Sequence, residues 1–166
     1  KKLIFSLSAF HRITNDVINR IKIYNDNNTA IVTFKNIDKS ESTGFEAVVI
    51  YKPFKWMKNT ISGNGNYINY TNNDPATNWN NSGFNWGAKY ILSIDFWKNS
   101  ATFQLNGNYE APRITPQGRV NPRTSVDLAI DKRLLKKKSL TIGMRVTDVF
   151  NTRNFQIDLE QTGVRQ

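Results

Sequence analysis

Residues 84–96, FNWGAKYILSIDF, alternate without a break. Phe84, Trp86, Ala88, Tyr90, Leu92, Ile94 and Phe96 share one side, with Asn85, Gly87, Lys89, Ser93 and Asp95 on the other. Side chains of an extended strand point to opposite faces in turn, so this period of two specifies a strand with one apolar and one polar surface. The pattern returns along the chain: Leu3, Phe5, Leu7 and Ala9 in 2–12; Phe45, Ala47, Val49 and Tyr51 in 42–51; Ala101, Phe103, Leu105 and Tyr109 in 101–109. It appears again as Val126, Leu128 and Ile130, and as Ile142, Met144 and Val146 in 140–150. The segment 60–70 mixes small and aromatic residues, among them Gly63, Gly65, Ile68 and Tyr70. About seven strands follow, joined as an antiparallel up-and-down meander. A two-faced sheet needs its apolar side covered, either by a core or by lipid.

The connections bear on that choice. Residues 15–28 are rich in Asn and Asp and read as a long loop with some structure, with a short strand at 30–34 inside the same excursion. Residues 71–83 and the Pro- and Gly-punctuated 111–123 are also long loops, and a polar tail follows 151. The turns at 54–59, 97–99 and 134–138 are short. Long and short connections therefore alternate, and strands of roughly ten residues sorted in this way are the pattern of a transmembrane barrel of the outer-membrane type. Trp56, Phe96 and Trp97 stand at short turns, while Trp79 and Trp86 stand near the long loops, where two interfacial girdles belong. Trp56, Trp86, Phe96 and Trp97 are the expected membrane-interface aromatics. Glu46, Lys89, Asp95, Asp127, Asp131 and Arg145 lie opposite the apolar face, as residues of a polar lumen would.

Composition removes several classes. The hydrophobic fraction is 39% and mean hydropathy −0.54, with no run near the roughly 20 apolar residues of a membrane-spanning helix. There is no cysteine, hence no disulfide and no thiolate chemistry, and the single histidine, His11, leaves nothing for a histidine metal site or a catalytic triad. Glu46 with Asp95, or Asp127 with Asp131, has the residue types of a glycosidase pair, but nothing fixes their separation, and lumen wall is the simpler reading. GNGNY at 63–67 precedes no helix and is not a phosphate loop. The expectation is a chain that is not an enzyme and uses no cofactor or metal. The net charge of +10 draws it toward anionic surfaces, but its aromatics share the apolar face and its basic residues collect at strand ends. Nucleic acid is therefore not an expected partner.

The last third, NYEAPRITPQGRVNPRTSVDLAIDKRLLKKKSLTIGMRVTDVFNTRNF, resembles the C-terminal barrel of TonB-dependent outer-membrane receptors, especially the outer membrane protein β-barrel family common in Bacteroidetes. The resemblance rests on a Tyr-x-x-Pro segment, a TPQG loop, V-D-L-A with a basic turn, and a strand closing in D-x-F-N-T. Upstream, STGFEAVVIYKP is similar to the family's Ser-x-Gly-x-Glu strand, and FSLSAFHRITNDVI to the strand and loop before it, so the likeness covers essentially the whole chain.

The resemblance implies a 22-stranded barrel around a plug, located in the bacterial outer membrane and drawing energy through TonB to import siderophores, cobalamin, glycans or peptides. Residues 1–166 would form part of the C-terminal barrel, lacking plug, TonB-binding segment and last strand. The implied partners are outer-membrane lipid and lipopolysaccharide, the plug and remaining barrel strands, and TonB. Long loops would face outside, and Lys136, Lys137 and Lys138 would sit on a periplasmic turn. Tyr70, Trp79, Arg119 and Arg153 are the ligand-contact candidates. The alternative is a complete soluble ligand-binding barrel of lipocalin type, in which the apolar face turns inward.

Overall fold

The computed structural model describes residues 2–24, 29–73, 80–98, 100–135, 139–153 and 157–159. Its strands are β1 (Lys2–Tyr24), β2 (Ala30–Phe54), β3 (Met57–Thr71), β4 (Asn81–Phe96), β5 (Ala101–Glu110), β6 (Arg113–Thr115), β7 (Gly118–Val120), β8 (Arg123–Leu134), β9 (Leu140–Val146) and β10 (Ile157–Leu159). Seven of them make one antiparallel sheet in the order β1-β2-β3-β4-β5-β8-β9, and β10-β7-β6 form a small second sheet. The protein is all-β, and the main sheet is the meander expected from the alternation. Among the described residues β1 and β9 do not pair with each other, so the sheet has two free edges. Each edge presents a long row of backbone N–H and C=O groups able to pair with a further strand.

Antiparallel partners lie on the same face, so the register extends each strand's alternation across the sheet. One row runs Phe5, Val49, Ile61, Tyr90, Gly107, Val126. Another runs Leu92, Leu105, Leu128, Val146. The next row on the opposite face is Ser6, Val48, Ser62, Lys89, Asn108, Ser125. A shift of one residue in any strand would break both series, because it would exchange the two faces of that strand.

The apolar face has no protein cover. Phe5 is 63% exposed and Met144 65%, whereas the buried apolar side chains among the described residues include small or peripheral ones such as Ala101, Ala129 and Ile114. A continuous exposed apolar surface of this extent requires an apolar medium. Ten residues separate Trp86 from Phe96 along β4. At about 3.3 Å per residue and a tilt of about 40°, that span is about 25 Å high, the apolar band of an outer-membrane barrel. Gly65 shows how the face closes over a missing side chain. A Cβ there would lie 2.7 Å from Cζ of Phe84 and 3.1 Å from Cζ of Phe45, so two rings from the flanking strands fill the place.

Several expected boundaries move. Residues 15–24 and 30–34 are not a loop with an isolated strand: β1 and β2 run 23 and 25 residues, paired from Lys2↔Lys52 to Tyr24↔Ala30, while 25–28 lie outside the described residues. Outside the membrane a strand needs only its ladder, and Val17↔Ile37 and Ile21↔Thr33 continue it through Asn-rich sequence. Ile21 and Ile37 are the largest fully buried side chains among the described residues. In 71–83 the strand resumes at Asn81. The segment 111–123 contains the β6–β7 hairpin rather than irregular loop alone. The last long strand stops at Val146 rather than Phe150, because Asp148 and Asn151 take positive φ of 51° and leave extended geometry.

Candidate functional site: a polar wall beneath an inward hairpin

The hollows of the sheet lie against its polar side, at the end of the long connections. The first, about 430 Å³, is lined by Lys89, Asn106, Asn108, Glu110, Arg123 and Asp127, with Arg153 at its edge. Two ion pairs organise it. Arg123 Nη2 donates to Glu110 Oε2 at 2.9 Å, and Arg153 Nη2 donates to Asp127 Oδ1 at 3.2 Å. Glu110 and Arg123 are direct cross-strand partners of β5 and β8, so the register creates the first pair. A second hollow of about 320 Å³ continues the wall past Lys89 to Glu46, Ser62 and Asn64.

Arg153 reaches the wall through the D-x-F-N-T segment. Asp148 Oδ1 accepts from the Thr152 N–H at 3.0 Å, and Oδ2 accepts from the Arg153 N–H at 3.0 Å. The Thr152 hydroxyl donates to the Thr124 carbonyl at 2.9 Å, and the Asp148 N–H donates to Asp127 Oδ1 at 2.8 Å. These bonds fold the chain back toward β8 as it leaves β9. The Arg153 and Thr152 N–H groups hold the Asp148 carboxyl below the usual carboxylate range.

The β6–β7 hairpin covers part of the same face. Ile114 is buried against Gly83, where a Cβ would lie 2.7 Å from Ile114 Cγ1, and the Ile114 N–H donates to Asn85 Oδ1 at 2.8 Å. Asn81 Nδ2 donates to the carbonyls of Thr115 and Gly118 at 2.7 and 3.2 Å. At the tip, Gln117 grips the main chain of Lys22: its Oε1 accepts from the Lys22 N–H at 2.8 Å, and its Nε2 donates to the Lys22 carbonyl at 3.1 Å. The hairpin thus runs from β4 to the extension of β1. The turn Pro116-Gln117 fits the TPQG motif, since Pro presets φ, and Gly118 takes φ 146°, in the region that favours glycine. Beneath it a hollow of about 420 Å³ is lined by Asn19, Arg20, Ile68, Tyr70, Asn85 and Arg113.

The four ligand-contact candidates do not form one cluster. Arg153 lines the first hollow and Tyr70 the one under the hairpin. Arg119 is exposed on β7, paired with Ile114 and Asp158, and Trp79 lies outside the described residues. Glu110, Asn81 and Gln117 are marked for the site by nothing in the local sequence pattern. The cross-strand partnership that makes Glu110 and Arg123 a pair is a register fact, visible only once the long connection between their strands is closed.

The aromatics expected at the interface occupy both ends of the apolar face. Trp86 is 5.0 Å from Tyr109 on the side of the long connections. At the short turns Phe54 stacks on Trp56 at 5.0 Å, and Phe96 meets Trp97 edge-on at 4.8 Å. Lys136, Lys137 and Lys138 lie outside the described residues. Among the described residues no three of His, Asp and Glu converge as a metal-ligand set.

Residues 1–166 match the outer membrane protein beta-barrel family over their whole length. No curated protein and no solved structure matches the chain. An exposed apolar face about 25 Å high, girdled by aromatics and backed by a hollowed polar wall, is what that family's setting demands. The chain belongs to the outer membrane protein β-barrel family, and its place is the bacterial outer membrane.

Proposed function

We propose that this chain is a section of the barrel wall of a TonB-dependent receptor that imports a nutrient, such as a siderophore, cobalamin, a glycan or a peptide. The observation that carries the reading is the β6–β7 hairpin, folded inward over the polar wall and tied at Gly83, Asn81, Asn85 and Lys22. A polar lumen partly covered from outside retains a solute that has entered, and the paired charges below supply directional donors and acceptors without a fixed net charge. The order of the TPQG and D-x-F-N-T motifs supports the receptor assignment by resemblance. On this reading the wall binds the solute and does not catalyse a reaction. Its partners are a plug, the remaining strands, TonB, and the lipid and lipopolysaccharide around it. The lipocalin alternative requires the apolar face to turn inward, whereas the hollows lie on the polar side.

The test is uptake by whole cells with the parent gene intact or removed, offered iron chelates, cobalamin, oligosaccharide or oligopeptide. The proposal requires that one of these enter only with the parent protein, and that entry stop when TonB is removed or the proton gradient is collapsed. Entry that depends on the protein but persists without energy would make it a passive pore instead.

A further inference from the structure

The hollow beneath the β6–β7 hairpin differs in its charges from the wall beside it. In the first hollow both lining arginines are bonded to carboxylates, Arg123 to Glu110 and Arg153 to Asp127. The hairpin hollow also holds two arginines, Arg20 of β1 and Arg113 of β6, yet no carboxylate lines it among the described residues. Neither guanidinium makes a hydrogen bond or an ion pair among those residues. Glu110, within electrostatic reach of Arg113, is already held by Arg123 at 2.9 Å. Two like charges lining one hollow repel each other, and an anion between them relieves the repulsion.

Hydrogen bonding around the hollow leaves donors without acceptors. Asn85 Oδ1 already accepts from the Ile114 N–H at 2.8 Å, and Gln117 Oε1 from the Lys22 N–H at 2.8 Å. The Thr115 hydroxyl donates to the Gly118 carbonyl at 3.1 Å. By contrast, Nδ2 of Asn19 is buried with no acceptor, a costly state for an amide N–H. The Tyr70 hydroxyl also has no hydrogen-bond partner among the described residues. Tyr70 lies beyond Gly65, the partner of Trp86, and so outside the apolar band. Burial raises its pKa above the ordinary phenol range, against the opposing charge of Arg113, so it keeps its proton and can donate. Ile68 and the buried Ile114 give the same space an apolar side.

We propose that this hollow binds a small organic solute carrying a carboxylate or a phosphate, its oxyanion held between Arg20 and Arg113 and its organic part set against Ile68 and Ile114. Guanidinium groups present paired N–H donors that match either oxyanion. The Tyr70 hydroxyl and the Asn19 amide add neutral donors, and the volume of about 420 Å³ falls within the range of ligand pockets, about 300–1,000 Å³. The two arginines come from elements far apart in sequence. Gln117 ties those elements together through the main chain of Lys22, so the site is complete only with the hairpin docked. The inference deepens the import reading and rests on it for the fate of the solute: the nutrient taken in is an acidic one.

The test is equilibrium binding by the full-length protein in nonionic detergent at low salt, read by titration calorimetry with benzoate, phenyl phosphate, uncharged benzamide and inorganic phosphate. Charge-assisted bonds to the guanidinium groups are expected to make benzoate or phenyl phosphate bind at least about tenfold more tightly than benzamide. Arg20→Gln and Arg113→Gln should each lower that affinity about tenfold, and Tyr70→Phe by less. Lys55→Gln, at a short turn, should leave it unchanged, and heat-modifiability on gels shows that each variant is folded. Benzamide bound as tightly as both anions by the wild-type protein, or no binding of either anion, overturns the proposal, and that comparison needs no variant to fold. So does undiminished anion binding in both arginine variants. Inorganic phosphate bound as tightly as phenyl phosphate, the mark of a site for free anions, also overturns it, as does an equal loss in Lys55→Gln, the mark of overall charge. Neither TonB nor an energy source enters this measurement, so its failure removes the solute class and leaves uptake to its own test.

Discussion

At Gly65 the absence of a side chain is structural, because the rings of Phe45 and Phe84 occupy the space a Cβ would need. Gly65→Val forces both aromatics outward on the lipid face, and overpacking of this kind costs about 1–3 kcal/mol. We expect a lower midpoint in urea unfolding from detergent micelles, with Phe84→Ala partly restoring Gly65→Val; additive losses would show that the rings do not share the site. Asp148 gives a pH-dependent case. Its carboxyl is held below the ordinary range by N–H groups of Arg153 and Thr152, so the folded turn prefers the charged form. Its contribution is fully present above the ordinary carboxylate pKa of about 4 and is lost as pH falls through the lower folded value. Amide exchange at Thr152 and Arg153, corrected for intrinsic rates, is expected to accelerate below about pH 4. In Asp148→Asn that acceleration should already be present at neutral pH; protection unchanged in the variant would remove Asp148 from the account.

At the level of elements, the β6–β7 hairpin is held at its tip by one side chain. Gln117→Ala removes both bonds to Lys22, each worth about 0.5–1.5 kcal/mol. The expected outcome is faster proteolysis within 113–120 on intact cells, with barrel folding unchanged; a cleavage rate equal to wild type would mean the Ile114 and Asn81 anchors suffice. Period-two alternation was enough to read most of the main strands, whereas 60–70 was marked by its small and aromatic residues, since the face that carries Ile61 and Tyr67 also carries Gly63 and Gly65. It failed in 15–24 and 30–34, where Asn and Asp count as breakers although the β1–β2 ladder continues through them. It failed again in 111–123, where Pro116 and Gly118 signal a turn but say nothing of the three-residue strands beside it or of where they fold. Of the candidate wall, Arg153 was legible as an exposed cation after a recognisable motif. Asp127 was legible as a polar-face residue, but its pairing with Arg153, and that of Glu110 with Arg123, depend on contacts across strands that local pattern does not encode.

For the whole molecule, the central claim is that one face meets lipid and the other a polar lumen. Neighbouring residues of β5 should therefore respond oppositely to the same substitution. Leu105 lies in the row at mid-height of the apolar face, and Leu105→Arg is expected to cost about 2–4 kcal/mol, while Gln104→Arg on the other face costs close to nothing. Equal losses would deny that the faces differ. The most direct measurement is side-chain accessibility along β4, which is flanked on both sides by paired strands. The chain has no cysteine of its own, so single cysteines can be placed from 88 to 95 in the full-length protein in vesicles. The account predicts strict alternation: labels at Ala88, Tyr90, Leu92 and Ile94 quenched by a lipid-soluble nitroxide, and labels at Lys89, Ile91, Ser93 and Asp95 reached only by a water-soluble quencher. The reverse assignment, or quenching from water at all eight positions, would contradict it.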